Sequence, residues 1–129
     1  MTVDSRRSWF EAHEATRRPL WLVLLEGRYQ GWLSFQSFYG RPAYDGVAEV
    51  SLYLERSAQG RGLGKKVLAQ ALAMAPALHL HTLLGFIFGH NEPSLQLFFR
   101  LGIVKWGHLP EVANMDGLMR DLLILGRKV

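Results

Sequence analysis

The chain has 129 residues, with 15 basic and 11 acidic side chains for a formal charge of +4, a hydrophobic content of 49% and no cysteine. That length and composition predict one domain over residues 1–129 with a packed core, too apolar for a disordered chain. The absence of thiols excludes disulfides, zinc–thiolate and iron–sulfur sites and cysteine nucleophiles. A modest charge with no dense Lys/Arg tract reads as solubility, not as a nucleic-acid surface.

Residues 1–7 are charged and lack an apolar signal core, and no apolar run reaches the ~20 residues of a membrane helix. A cytoplasmic protein without membrane contact is therefore expected. Asp4 or Ser5 can cap a short helix containing Trp9, Phe10 and His13, which Pro19 stops. Strands are predicted over residues 20–26 and 29–38, with Gly27 and Arg28 in a tight hairpin turn between them. After a turn-rich loop, residues 38–46, a third strand covers residues 47–54. Its side chains alternate, with Val47, Glu49, Ser51 and Tyr53 on one face and Ala48, Val50, Leu52 and Leu54 on the other.

From Leu63 the period changes: Leu63, Val67, Leu68, Ala71, Leu72 and Ala75 form one helical stripe that Pro76 ends. Residues 81–88 are an apolar run of strand length, suited to burial on both faces. A second helix over residues 93–101 stops at Gly102 in the C′ position. Strands over residues 103–109 and 118–125 complete the set. Strands alternating with helices in the second half imply an α/β class and a mixed sheet flanked by helices.

The segment Gln59-Gly60-Arg61-Gly62-Leu63-Gly64-Lys65 joins the third strand to the first confident helix. Alternate glycines let backbone N–H groups converge beside the positive end of a helix dipole, an arrangement that binds phosphate. Lys65 and Lys66 oppose that dipole and make sense beside a polyanion; a glycine-rich turn with solvated lysines is the plain alternative. A Walker loop is excluded because Gln59 and Lys66 occupy its first glycine and its hydroxyl position. The Rossmann spacing fails as well, since the glycines run G-x-G-x-G.

The remaining pattern, Q-x-x-G-x-G, resembles the signature of the GNAT superfamily of N-acetyltransferases. The resemblance extends through Ala48-Glu49-Val50-Ser51-Leu52-Tyr53-Leu54, through His90-Asn91-Glu92-Pro93-Ser94 with Leu101-Gly102, and through Trp106-Gly107-His108-Leu109 with Arg120-Asp121-Leu122. Together these look like the phosphinothricin acetyltransferase-like branch, which acetylates small amino-acid-like amines. The resemblance implies that central strands splay to admit acetyl-CoA. It further implies that Gln59, Gly60, Arg61, Gly62, Leu63, Gly64 and Lys65 hold the pyrophosphate and that Leu52, Tyr53 and Leu54 pair with the pantetheine arm. Asn91 and Ser94 match cofactor-contacting positions, although both also suit helix capping.

Glu49, a carboxylate on an apolar strand, is the candidate base that would take the proton from the attacking amine; a surface glutamate is the alternative. Arg41, Pro42, Ala43 and Tyr44 are candidates for the acceptor pocket, Arg41 pairing with an acceptor carboxylate, unless the loop's aromatics simply cover the core. Many relatives carry a tyrosine as general acid where this chain has Phe98, so no general acid is assigned. His90 and His108 read as structural, and His79 and His81, lacking a third ligand, do not predict a metal. The chain begins later than the family pattern, as if short of an N-terminal strand and helix, and the exposed sheet edge predicts a homodimer. The leading expectation is an N-acetyltransferase using acetyl-CoA and a small amine, without metal. The alternative is a catalytically silent acyl-CoA-binding module or truncated subunit.

Overall fold

A computed structural model describes residues 18–39, 41–60 and 62–129. The predicted helix around Trp9, Phe10 and His13 lies outside them, as does Arg61 of the glycine loop. Strands β1 (Leu20–Leu25) and β2 (Arg28–Ser37) form the expected hairpin. Its turn is shifted by one residue from the prediction: Glu26 and Gly27 hold positive φ (53° and 78°), while Arg28 already pairs with Leu25. Two successive left-handed residues match the right-handed twist of the flanking strands.

Strand β3 (Val47–Leu54) pairs antiparallel with β2 from Ser37↔Ala48 to Gly31↔Leu54. Helix α1 (Leu63–Met74) then leads to β4 (Thr82–Phe88), and helix α2 (Glu92–Arg100) leads to the hairpin of β5 (Val104–Met115) and β6 (Leu118–Lys128). Among the described residues these strands make one six-stranded mixed sheet in the order β1-β2-β3-β4-β6-β5. The α/β class with helices flanking a mixed sheet is as expected.

Two element ends depart from the prediction for physical reasons. Pro76 does not stop the helical path after α1, because it sits in the first turn of a 3-10 segment, Ala75–Leu78, where its missing N–H has no role; the path ends at His79 with φ 62°. β5 runs to Met115 instead of ending at Leu109. Pro110 is tolerated because β5 is the last strand of the sheet, and an irregularity between Leu109 and Ala113 absorbs it.

The core lies where the alternation places it. Leu33, Phe35, Ala48, Leu68, Ala71, Leu83, Ile103 and Leu125 are inaccessible to solvent, and Leu52, Leu54 and Leu63 pack against this cluster. An α1 stripe of Val67, Leu68, Ala71 and Ala75 is thus buried against the even-numbered face of β3. Phe98 of α2 is buried too, and its ring lies so close over Gly85 of β4 that a Cβ there would sit 2.7 Å from Cε2.

Candidate active site

Strands β3 and β4 pair in parallel only at Val47↔Thr82, Ala48↔Leu83 and Glu49↔Leu84. Beyond that point β3 keeps only β2 and β4 keeps only β6 as neighbours. A wedge-shaped slot therefore opens between residues 50–54 of β3 and residues 85–88 of β4. Which backbone groups face it follows from strand parity. The Glu55 N–H donates to Gln30 O (2.7 Å) on the β2 side, and the Thr82 N–H donates to Gly46 O (3.2 Å) on the β4 side. Odd-numbered peptide groups of β3 thus serve β2, and those of Val50, Leu52 and Leu54 point into the slot. Of the strand residues expected to pair with a pantetheine arm, Leu52 and Leu54 present main-chain groups there, whereas Tyr53 turns its own toward β2 and stacks its ring on Trp32 at 6.0 Å.

The glycine loop closes over the wide end of this slot. Gly60 and Gly62 adopt φ of 78° and 74°, and a Cβ on either would meet nothing within 4 Å, so conformation and not crowding demands glycine there. Gly62 is the N-cap of α1, with no side-chain cap, and the first helical bond runs from the Lys66 N–H to Gly62 O (3.2 Å). The amides of Leu63, Gly64 and Lys65 consequently have no intrahelical acceptor. Gly64 has a different reason to lack a side chain: its Cβ would lie 3.1 Å from Leu97, 3.3 Å from Leu54 and 3.6 Å from Leu52. This close approach locks the start of α1 to the end of β3 and to α2. Gln59 donates from Nε2 to Leu54 O (3.1 Å), tying the loop to the strand it leaves.

At the narrow end stands Glu49, in the last β3–β4 pair. Its side chain is on the face opposite α1 and half-buried, and desolvation holds its carboxyl above the usual carboxylate range, partly offset by a hydrogen bond from Ser51. Arg41, Pro42, Ala43 and Tyr44 also lie at this end, just before β3 begins, all exposed. Phe38 packs edge-on against Tyr44 at 5.2 Å, and the buried Arg18 donates to Ser37 Oγ (3.0 Å) and to Asp45 O (2.8 Å), pinning both ends of the loop.

A glycine cradle at the mouth of a slot between parting parallel strands has its counterpart in known proteins. The profile of the acetyltransferase (GNAT) family matches residues 2–103. The chain belongs to the GNAT acetyltransferase family. It is 46% identical over 130 residues to "Putative phosphinothricin acetyltransferase YwnH" of Bacillus subtilis (strain 168), covering 100% of this chain and 79% of that protein. It is 30% identical over 123 residues to the Escherichia coli (strain K12) L-amino acid N-acyltransferase MnaT, covering 95% and 72%. A GNAT superfamily phosphinothricin acetyltransferase from Sinorhizobium meliloti, solved in complex with acetyl-CoA, superposes with a TM-score of 0.93 at 25% identity over 100% of this chain and 70% of that one. The chain is accordingly an acetyltransferase, with its relatives on the phosphinothricin acetyltransferase-like branch.

Within the GNAT frame the sequence-derived residues divide into two groups. Leu52, Leu54, Gln59, Gly60 and Gly62 to Lys65 gather at the wide end, while Glu49 and the Arg41-to-Tyr44 loop flank the narrow end. Asn91 caps α2, its Oδ1 accepting from the Ser94 N–H (3.4 Å), so the capping role is realised beside the slot through Leu97. Phe98 fills the core without a hydroxyl. His79 ends the 3-10 segment, and His81 Nδ1 lies 2.7 Å from Thr82 Oγ1. Sequence reading missed the partner of His108, whose Nε2 lies 2.7 Å from Asp121 Oδ2 across the β5–β6 hairpin. The Asp116-Gly117 turn, with φ of 55° and 87°, carried that signal, because a hairpin hinged there brings residues near 108 against those near 122.

Proposed function

We propose that this acetyltransferase moves the acetyl group of acetyl-CoA to the primary amine of a small amino-acid-like acceptor by direct attack in a ternary complex, within one domain spanning the chain. The reading rests above all on the β3–β4 ladder ending at Glu49↔Leu84, which leaves backbone donors and a half-buried carboxylate at opposite ends of one slot. Amides of Gly60 and of Gly62 to Lys65 hold the diphosphate, with Arg61 and Gln59 completing the loop. Leu52 and Leu54 supply a strand edge for the pantetheine arm, with Tyr53 between them, and Asn91 and Ser94 approach it from α2.

Acetyl transfer requires an unprotonated nitrogen. Glu49 removes one proton from the acceptor ammonium, and the freed lone pair attacks the thioester carbon. The Val50 N–H, the first slot-facing amide beyond the paired region, stabilises the developing oxyanion. As the C–S bond breaks, the thiolate receives the second proton that nitrogen loses in becoming an amide. Arg41 pairs with the acceptor carboxylate beside Pro42, Ala43 and Tyr44. Among the described residues β1 and β5 are the edges of the sheet, which supports a homodimer, and the location is cytoplasmic.

The test combines acetyl-CoA calorimetry with thiol release against phosphinothricin, methionine sulfoximine and L-amino acids. Saturable binding followed by amine-dependent thiol release is expected. Binding with no release from any of these amines overturns the proposed transfer, and no binding overturns the slot assignment.

A further inference from the structure

Across β4 from the slot lies a cavity of about 380 Å³ that the acetyl-transfer chemistry does not use. It is lined by Gly89 and His90 ahead of α2 and by Lys105, His108, Arg120 and Asp121 of the β5–β6 hairpin. Strand parity keeps it apart from Glu49: His108 pairs with Leu123, and Leu123 with Ile87, on the core side of the sheet, opposite the face that carries Glu49.

The charges in this cavity are unbalanced in a specific way. Its one carboxylate, Asp121, is already engaged, accepting from the Glu111 N–H (2.9 Å) and facing His108 Nε2 at 2.7 Å. Among the described residues Lys105 and Arg120 have no carboxylate within ion-pairing distance. His108 keeps Nδ1 available, and His90 is held by stacking on Phe88 at 6.0 Å. Lys105 and two imidazoles thus line the cavity beside a carboxylate that two donors have already claimed, while Arg120 borders it from β6, where alternation turns its side chain away from that of Asp121. A lysine ammonium offers a phosphate group a point charge, and an imidazole N–H donates beside it.

We propose that this cavity is a second anion site, taking a phosphomonoester dianion through Lys105 and His108, with Arg120 adding positive charge at its border. The dianion has two possible sources, the 3′-phosphate of CoA, in which case the proposal rests on the acetyl-CoA reading, or a separate phosphorylated ligand. Asp121 positions His108, and its depressed carboxyl, held down by the Glu111 amide and by His108, keeps a negative charge against the imidazole.

The experiment has two arms, both at low ionic strength because His108 and Asp121 are 44% and 38% exposed and hence salt-screened. Calorimetry compares CoA with dephospho-CoA for the native chain and for the K105M/R120M variant, whose exposed and half-buried positions lie outside the core cluster. NMR follows the His108 ring during titration with inorganic phosphate, with and without saturating CoA. If the cavity takes the 3′-phosphate, the native chain prefers CoA about tenfold, the variant loses that preference, and CoA blocks phosphate. If a separate ligand is bound, phosphate shifts the His108 ring even under saturating CoA. No CoA preference together with an unmoved His108 ring overturns the site. Failure of CoA to bind at all counts against the acetyl-CoA reading alone, since the phosphate arm still decides the cavity.

Discussion

The two halves of β3 share one alternating pattern, yet they do different work. At Ala48 and Glu49 the strand has neighbours on both sides and its peptide groups are consumed by the sheet. From Val50 to Leu54 the β2 ladder continues while the β4 ladder is gone, and slot-facing amides are left for a ligand. The difference does not come from residue type, since Val50, Leu52 and Leu54 are ordinary strand formers. It comes from the neighbours: Gly64 lets α1 and Leu97 of α2 press against Leu52 and Leu54 at the parting end. Buried backbone polar groups must be satisfied, so a sheet that opens at one end is prepared for something strand-like to enter.

The largest test of this contrast is Glu49→Gln, which keeps shape and removes the base at the vertex. Turnover is expected to fall about 100-fold or more, with the Kd for CoA nearly unchanged in calorimetry, because the wide end is untouched. An undiminished turnover removes Glu49 from the mechanism.

Proline substitution separates the two edges of the same strand. Leu52→Pro deletes a slot-facing N–H and is expected to weaken CoA binding about tenfold while the chain still melts cooperatively. Tyr53→Pro deletes a ladder N–H to β2 and is expected to cost about 3 kcal/mol of stability, read as a lower Tm. Equal effects of the two on stability contradict the parity assignment.

Glycine replacements give a smaller effect with an internal control. Gly62 and Gly117 both hold positive φ (74° and 87°) with nothing near an added Cβ. Each change to Ala is expected to destabilise by about 1 kcal/mol through backbone strain. Only Gly62→Ala is expected to raise the Kd for CoA several-fold, because only that turn borders the slot.

The smallest effect is the pH response of Glu49. Its carboxyl titrates above the usual range because burial disfavours the charge. Activity needs the carboxylate, so kcat/KM rises with pH through that elevated value. Stability moves the other way: the native state binds the proton more tightly than the unfolded chain, so Glu49's contribution is fully present below the unfolded pKa and is lost as pH rises through the native one. Glu49→Gln is expected to flatten both profiles, measured by rate and by thermal melts.

Much of this was legible before any coordinates. The alternation in β3, the stripe of α1 and the Gly102 stop all follow from local periodicity and turn chemistry, and the glycine loop could be placed at a strand-to-helix junction. Other features were out of reach because they depend on distant segments. Gln59 read as a cofactor residue, and the reach of its amide back to Leu54 O was not visible in the sequence. The predicted strand ended at Leu109, and only the edge position of β5 lets it run on past Pro110 to Met115.

By itself, the amino-acid order determined where most strands and helices lie, which faces are apolar and where glycines turn the backbone, since these depend on side-chain size, polarity and φ at single positions. The tertiary structure decided that β3 and β4 part after Glu49, that Gly64 meets Leu52, Leu54 and Leu97, and that His108 meets Asp121. Each of these joins segments at least ten residues apart, and such contacts depend on how sheet and helices pack, a property no local pattern encodes.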